Sequence, residues 1–220
     1  HVVYYVTLLR GYQRADLTVV YPLARGSGPL LSSAVALLLL GEQLTASSGL
    51  GLLGVVLGVF LVAGGPGLWR AGRSAEHQAR VRLGLVYGLL TGAFIASYTV
   101  VDGYAVKVML MSPVLIDYMG NFVRVAALAP QVWRDRPEAA RLWRLQWKHA
   151  LLVATISPVS YVLVLYAMQT APLSHVAPAR EVSMLFAALI GGHLLGEGDR
   201  LARVGGAVLI AAGVVLLGLG

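Results

Sequence analysis

Cysteine is absent from this chain of 220 residues, so disulfides play no part in it. Charge is scarce as well: Asp, Glu, Lys and Arg make up 12% of the residues, against roughly 25% in soluble domains. Acidic residues are the scarcer sign, 10 against 17 basic ones. No charged start precedes a cleavable apolar run, so no secretory signal is visible. Phosphate loops, nucleophile elbows and dinucleotide fingerprints are missing. His1, His77, His149, His175 and His193 are scattered without metal-ligand spacing. Nothing here suggests an enzyme, a metal or a cofactor.

What fills the chain is apolar surface. Hydrophobic residues make up 58%, and the mean hydropathy is +0.76. Runs long enough to cross a bilayer cover 17–40, 49–64, 83–104, 112–133, 149–169, 173–195 and 204–220. His1–Leu9 adds roughly half a span before Arg10. The expected fold is therefore an all-α membrane protein of seven full transmembrane helices and a half-helix stub.

The chain also repeats itself. Ala24-Arg25 opens a stretch that ends Leu39-Leu40-Gly41-Glu42, and Ala179-Arg180 opens one that ends Leu194-Leu195-Gly196-Glu197. Both have seventeen steps from Arg to Glu. Gly51, Gly58, Val59 and Leu61 fall on Gly206, Gly213, Val214 and Leu216 at an offset of 155. Upstream the offset is 156, where Tyr5, Gln13, Leu17 and Pro22 fall on Tyr161, Gln169, Leu173 and Pro178. Duplicated helical units in a membrane are a common plan of secondary transporters. The stub matches only the later half of its counterpart helix. The repeat thus predicts a fragment of a ten-helix protein lacking about 75 residues upstream.

Charge sets an orientation. Arg10, Arg14, Arg70, Arg73, Arg80, Arg82, Arg134, Arg136, Arg141, Arg144, Lys148, Arg200 and Arg203 lie in alternate connections. The opposite connections hold only Lys107. That bias marks the cytoplasmic face of a bacterial inner membrane. The basic balance is thus a topology signal aided by anionic lipid, not a nucleic-acid footprint. The same assignment makes the duplicated units run in opposite senses, as an inverted repeat requires. Trp133, Trp143 and Trp147 suit the interface, with 134–148 expected as a short helix lying on the surface.

Three arginines remain inside the apolar runs: Arg25, Arg124 and Arg180. Intramembrane charge costs at least ~2.5–3.5 kcal/mol, so each needs a cavity, a partner or a route to the interface. Arg25 lies about 12 Å from one face and Arg180 about 10 Å from the other. Both sit near the midplane, where alternating access needs paired groups. The alternative is a buried ion pair, Arg180 with Glu181 or Asp117 and Arg25 with helix dipoles or water. Asp117 and Asn121, four apart, share a face with Arg124 and read either as cavity wall or as interhelical glue. Glu181 is the candidate protonatable coupling group. Asp102 reads as a rim residue, and Tyr21 leads the tyrosines that could line a cavity. Pro22, Gly26, Gly28 and Pro29 around Arg25, with Pro178 before Arg180, predict interrupted helices. Glu42 and Glu197 are expected to end their helices and cap the helix that follows. Gly84, Gly88, Gly92 and Ala96, and the shorter Gly54 and Gly58 stripe, predict close packing.

With Val20-Tyr21-Pro22-Leu23-Ala24-Arg25 through Gly41-Glu42, and the second copy through Gly196-Glu197, the chain resembles EamA-type members of the drug/metabolite transporter superfamily. The resemblance divides it into the end of a first unit (1–65), a cytoplasmic linker (66–82) and a whole second unit (83–220). It implies two inverted five-helix units. It also implies export or exchange of small metabolites such as amino acids, driven by a proton or counter-solute gradient. The positive charge of Arg25 and Arg180 suits an anionic or zwitterionic solute. A membrane scaffold or lipid-handling subunit that transports nothing is the other reading. The expected partners are membrane lipids and a small solute.

Overall fold

A computed structural model describes residues 1–15, 17–62, 75–183 and 200–219. Among them the regular elements are helices: α1 (Val2–Arg14), α2 (Leu17–Leu39), α3 (Ala46–Val62), α4 (Ala75–Lys107), α5 (Pro113–Arg134), α6 (Arg136–Thr170), α7 (Leu173–Ala179) and α8 (Arg200–Leu219). Contacts divide the chain into two compact units. One comprises His1–Val2 and Asp102–Thr170, the other Val3–Val101 and Ala171–Gly220. These units do not follow the sequence duplication, because the second draws helices from both copies.

In the larger unit α3 packs along α8, and α2 packs on both α3 and α7. Leu52, Val55, Val59, Val62, Ile210 and Leu217 form the buried core, with Tyr21, Val56, Val182 and Val214 against it. Glycine is what lets these backbones approach. A Cβ on Gly51 would stand 2.6 Å from the Gly213 carbonyl oxygen, and one on Gly58 would stand 2.6 Å from that of Gly206. The reverse contacts, Gly206 on Gly58 and Gly213 on Gly51, are equally close. Gly54, placed in the stripe from sequence, has more room, 3.4 Å to its nearest atoms. On α4, Gly88 meets Leu23 and Gly92 meets Ser27, so α2 lies against that face.

Helix ends follow local chemistry. Gly41, at a φ of +65°, closes α2 in the left-handed conformation that glycine takes at no steric cost. Glu42 N–H then donates back to the Ala36 carbonyl. Thr45 Oγ1 accepts the Ser48 N–H at 3.1 Å and so caps α3. The stub of the sequence reading is longer than expected: α1 runs through Arg10 to Arg14. Interruption of the first arginine helix is also not found. Pro22, Gly26, Gly28 and Pro29 all lie inside the continuous α2, whose close packing on α3 and α7 holds it in register.

The smaller unit is dominated by α5 and α6, joined through Asp135 alone. The expected surface-lying helix over 134–148 is instead the beginning of α6, since no Gly or Pro interrupts the chain from Glu138 to Ser157. At 35 residues, α6 measures about 52 Å, longer than the ~30 Å hydrocarbon layer. Leu151, Leu152, Val153, Ile156, Val159 and Leu163 are all exposed along it. An apolar face of that length left uncovered suits lipid rather than water. By length and apolarity, two described helices meet the requirement for a span, within Gln78–Lys107 and Arg136–Thr170. Ala46–Val62 and Val204–Leu219 are shorter apolar helices.

Candidate functional site

Buried charge singles out one place in the larger unit. Arg25, on α2, directs Nη1 to Glu181 Oε1 at 3.3 Å. The Glu181 side chain is 6% exposed and that of Arg25 33%. Tyr21, one turn before Arg25, lays its ring 5.7 Å from the guanidinium carbon, within cation–π range. The Tyr4 and Tyr12 phenols lie close enough to interact with the same charge. Tyr4 in turn packs on Tyr98 with ring centroids 5.5 Å apart. Tyr4 and Tyr12 were not singled out from sequence, since nothing local marks which face of α1 meets Arg25.

The segment bearing Glu181 departs from a regular helix. Pro178 is buried, α7 ends at Ala179, and Glu181 N–H donates to the Pro178 carbonyl across three residues. Arg180 and Glu181 thus form a turn. Proline lacks the donor that would continue the ladder, and the backbone tightens here. Among the described residues the charged partner of Arg25 is Glu181. Arg180 lies beside the same carboxylate and adds a second positive charge near it. The sequence pattern suggested two arginines meeting, whereas the neighbouring carboxylate is what reaches Arg25. In this turn one position decides which of the two side chains faces α2. Glu181 Oε2 is buried and accepts no hydrogen bond among the described residues.

Glu42 requires a correction. Its oxygens accept the N–H groups of Leu173 at 2.7 Å and Ser174 at 3.0 Å. It therefore caps α7, while Thr45 takes the Ser48 N–H at the start of α3. The left-handed turn at Gly41 carries the carboxylate away from α3. Glu197 lies outside the described residues.

In the smaller unit, Asn121 Nδ2 donates to Asp117 Oδ2 at 2.9 Å, and Arg124 Nη1 donates to Asn121 Oδ1 at 3.1 Å. All three lie on α5, so the ladder is internal to one helix. Asp102 is buried within the last turns of α4, not exposed on a rim. Tyr161 donates its hydroxyl to Asp102 Oδ2 at 2.5 Å, and His1 Nε2 lies 2.9 Å from the same oxygen. No grouping of three or more His, Cys, Asp or Glu with metal-binding geometry occurs among the described residues. Clefts of about 350 Å³ beside Arg124 and Trp133 and about 520 Å³ beside Arg141 and Arg144 lie on α5 and α6, apart from the Arg25 pair.

Long helices with exposed apolar faces suit an integral membrane helical protein. The sequence profile of the EamA-like transporter family matches residues 82–219. The chain belongs to the EamA-like transporter family. A solved crystal structure of a protein superposes on it with a TM-score of 0.66 at 15% identity, covering 98% of this chain and 73% of that one. At that identity the likeness establishes the fold alone. No curated protein sequence matches.

Proposed function

We propose that the chain is most of a secondary transporter for small polar metabolites, anionic or amino-acid-like, working by alternating access between two inverted five-helix units. The first unit ends in residues 1–65, residues 66–82 link them in the cytoplasm, and residues 83–220 form the second. The apolar runs provide seven spans and a partial one in a bacterial inner membrane, basic connections inside. The glycine seam supports the inversion. The offset of 155 carries Gly51 onto Gly206 and Gly58 onto Gly213, and the contacts made are Gly51–Gly213 and Gly58–Gly206. Such an exchange is what a two-fold relation between the copies predicts.

The observation that carries the transport reading is the ion pair between Arg25 and Glu181. Charge is retained inside a membrane at a cost, and where it is retained it marks solute or ion pathways. Arg25 and Arg180 steer the solute, Glu181 couples the movement to a proton or counter-solute, and Tyr21 shapes the surface around Arg25. Asp117 and Asn121, on α5, are further candidate solute contacts. The test is uptake of labelled amino acids and carboxylates into vesicles holding the full-length protein. Arg25→Ala and Arg180→Ala should each abolish flux while membrane insertion persists. Undiminished flux in both variants rejects the site. A scaffold or lipid-handling subunit would give no flux in the unmodified protein.

A further inference from the structure

The Arg25–Glu181 pair is bonded well below its capacity, and the inference drawn from this rests on the transport reading and deepens it. A guanidinium offers five donors and a carboxylate about four acceptor positions. Between the two lies one contact, Nη1 to Oε1 at 3.3 Å, longer than the ~2.7–2.9 Å usual for charge-assisted bonds. The guanidinium also bonds the Tyr21 side chain. The second carboxylate oxygen is buried and accepts nothing among the described residues. The two partners also differ in access: the carboxylate is shut in, and the guanidinium is the one reachable from outside. Glu181 stands in a turn rather than in a full helical ladder, so its side chain can withdraw without unwinding a helix.

Among the described residues the surrounding ionisable groups are few. Arg180 faces Glu181, while Tyr4 and Tyr12 from α1 and Tyr21 from α2 face Arg25. α3 brings no titratable side chain, and neither does α8 from Val204 onward.

We infer that Glu181 is a built-in stand-in for the solute. Its carboxylate holds Arg25 while the site is empty and yields to a carboxylate of the arriving solute, taking up one proton as it withdraws. The bond broken is Nη1–H···Oε1. The bonds formed are parallel N–H···O contacts from the guanidinium to both oxygens of the solute, the two-pronged geometry that a planar carboxylate allows. A displaced Glu181 would be a buried charge that has lost its bonded partner and keeps only the adjacent Arg180 charge, which is costly. A proton from water on Oε2 removes that charge. One negative charge and one positive charge enter together, so the charge of the site is unchanged. Glu181 is thus a specificity-determining residue: it admits groups that out-compete a monodentate carboxylate for Arg25.

The experiment uses the full-length protein in micelles, with sodium benzoate as the probe and benzamide as its uncharged control. Calorimetry in buffers of differing ionisation enthalpy counts protons. The unmodified protein should bind benzoate with uptake of about one proton, and benzamide should not bind. Glu181→Gln should bind benzoate at least ten-fold more tightly with no proton uptake, and Arg25→Gln should lose binding. Benzoate binding without proton uptake in the unmodified protein overturns the inference, whatever the variants do, and so does binding that survives Arg25→Gln. Solute flux in vesicles without benzoate binding would leave transport standing and remove this inference. Proton-linked benzoate binding with no flux of any solute would do the reverse.

Discussion

Replacing Gly58 by Ala tests the seam between α3 and α8. The added Cβ would stand 2.6 Å from the Gly206 carbonyl oxygen, 2.7 Å from Ile210 Cγ1 and 2.8 Å from the Ile210 nitrogen. Two of those three atoms are backbone, so a side-chain rotation cannot relieve the clash and the helices must part. Restoring ordinary contact at 3.4 Å needs a displacement of about 0.8 Å. Val55, Val59, Ile210 and Leu217 are fully buried along this seam. At about 40 contacts each, worth ~0.1 kcal/mol apiece, they hold about 16 kcal/mol of dispersion, roughly half of it across the seam. A gap of that size forfeits about a third of the well, or about 3 kcal/mol. The better helix propensity of Ala offsets about 1 kcal/mol, leaving a net loss of about 2 kcal/mol. Gly205→Ala is the control, because among the described residues nothing lies within 4 Å of its Cβ. It should be neutral or gain up to about 1 kcal/mol. Thermal unfolding of the full-length protein in micelles reads both. A Gly58→Ala protein as stable as the Gly205→Ala protein would refute this view of the seam.

Two further outcomes can be checked. Glu42→Ala should cost about 1–2 kcal/mol by uncapping α7, with faster amide exchange at Leu173 and Ser174. Faster exchange at Ser48 instead would return the cap to α3. At the exposed start of α6, Arg141 donates to both oxygens of Glu138 at 2.7 and 2.6 Å. These bonds hold the Glu138 carboxyl below its ordinary value of 4.5. A lowered folded value means the stabilisation is complete above pH 4.5 and fades as pH falls through that lower value. The melting difference between the unmodified protein and Glu138→Gln should therefore be small, salt-sensitive and absent in acid. A difference that persists in acid would contradict the assignment.

Much of the architecture was legible because a bilayer imposes long apolar runs with satisfied backbones. The run at 17–40 became α2, and that at 112–133 became α5, each within a residue. Asp117, Asn121 and Arg124 were legible as one stripe because helical spacing fixes neighbours three and four apart. The tyrosines around Arg25 were not, since they come from a different helix whose rotation no local signal records.

Composition and periodicity thus determined that this chain would be helical and apolar outside, because those properties follow from each residue's own preference for solvent and from the 3.6-residue turn. Which carboxylate meets Arg25, and which helix Glu42 caps, were decided only by tertiary packing. Glu181 and Arg180 differ by one position within a turn, and it is Glu181 that reaches Arg25. Glu42 reaches across 131 residues to Leu173. Contacts of that kind depend on how two distant segments are turned toward each other, which spacing along a chain does not encode.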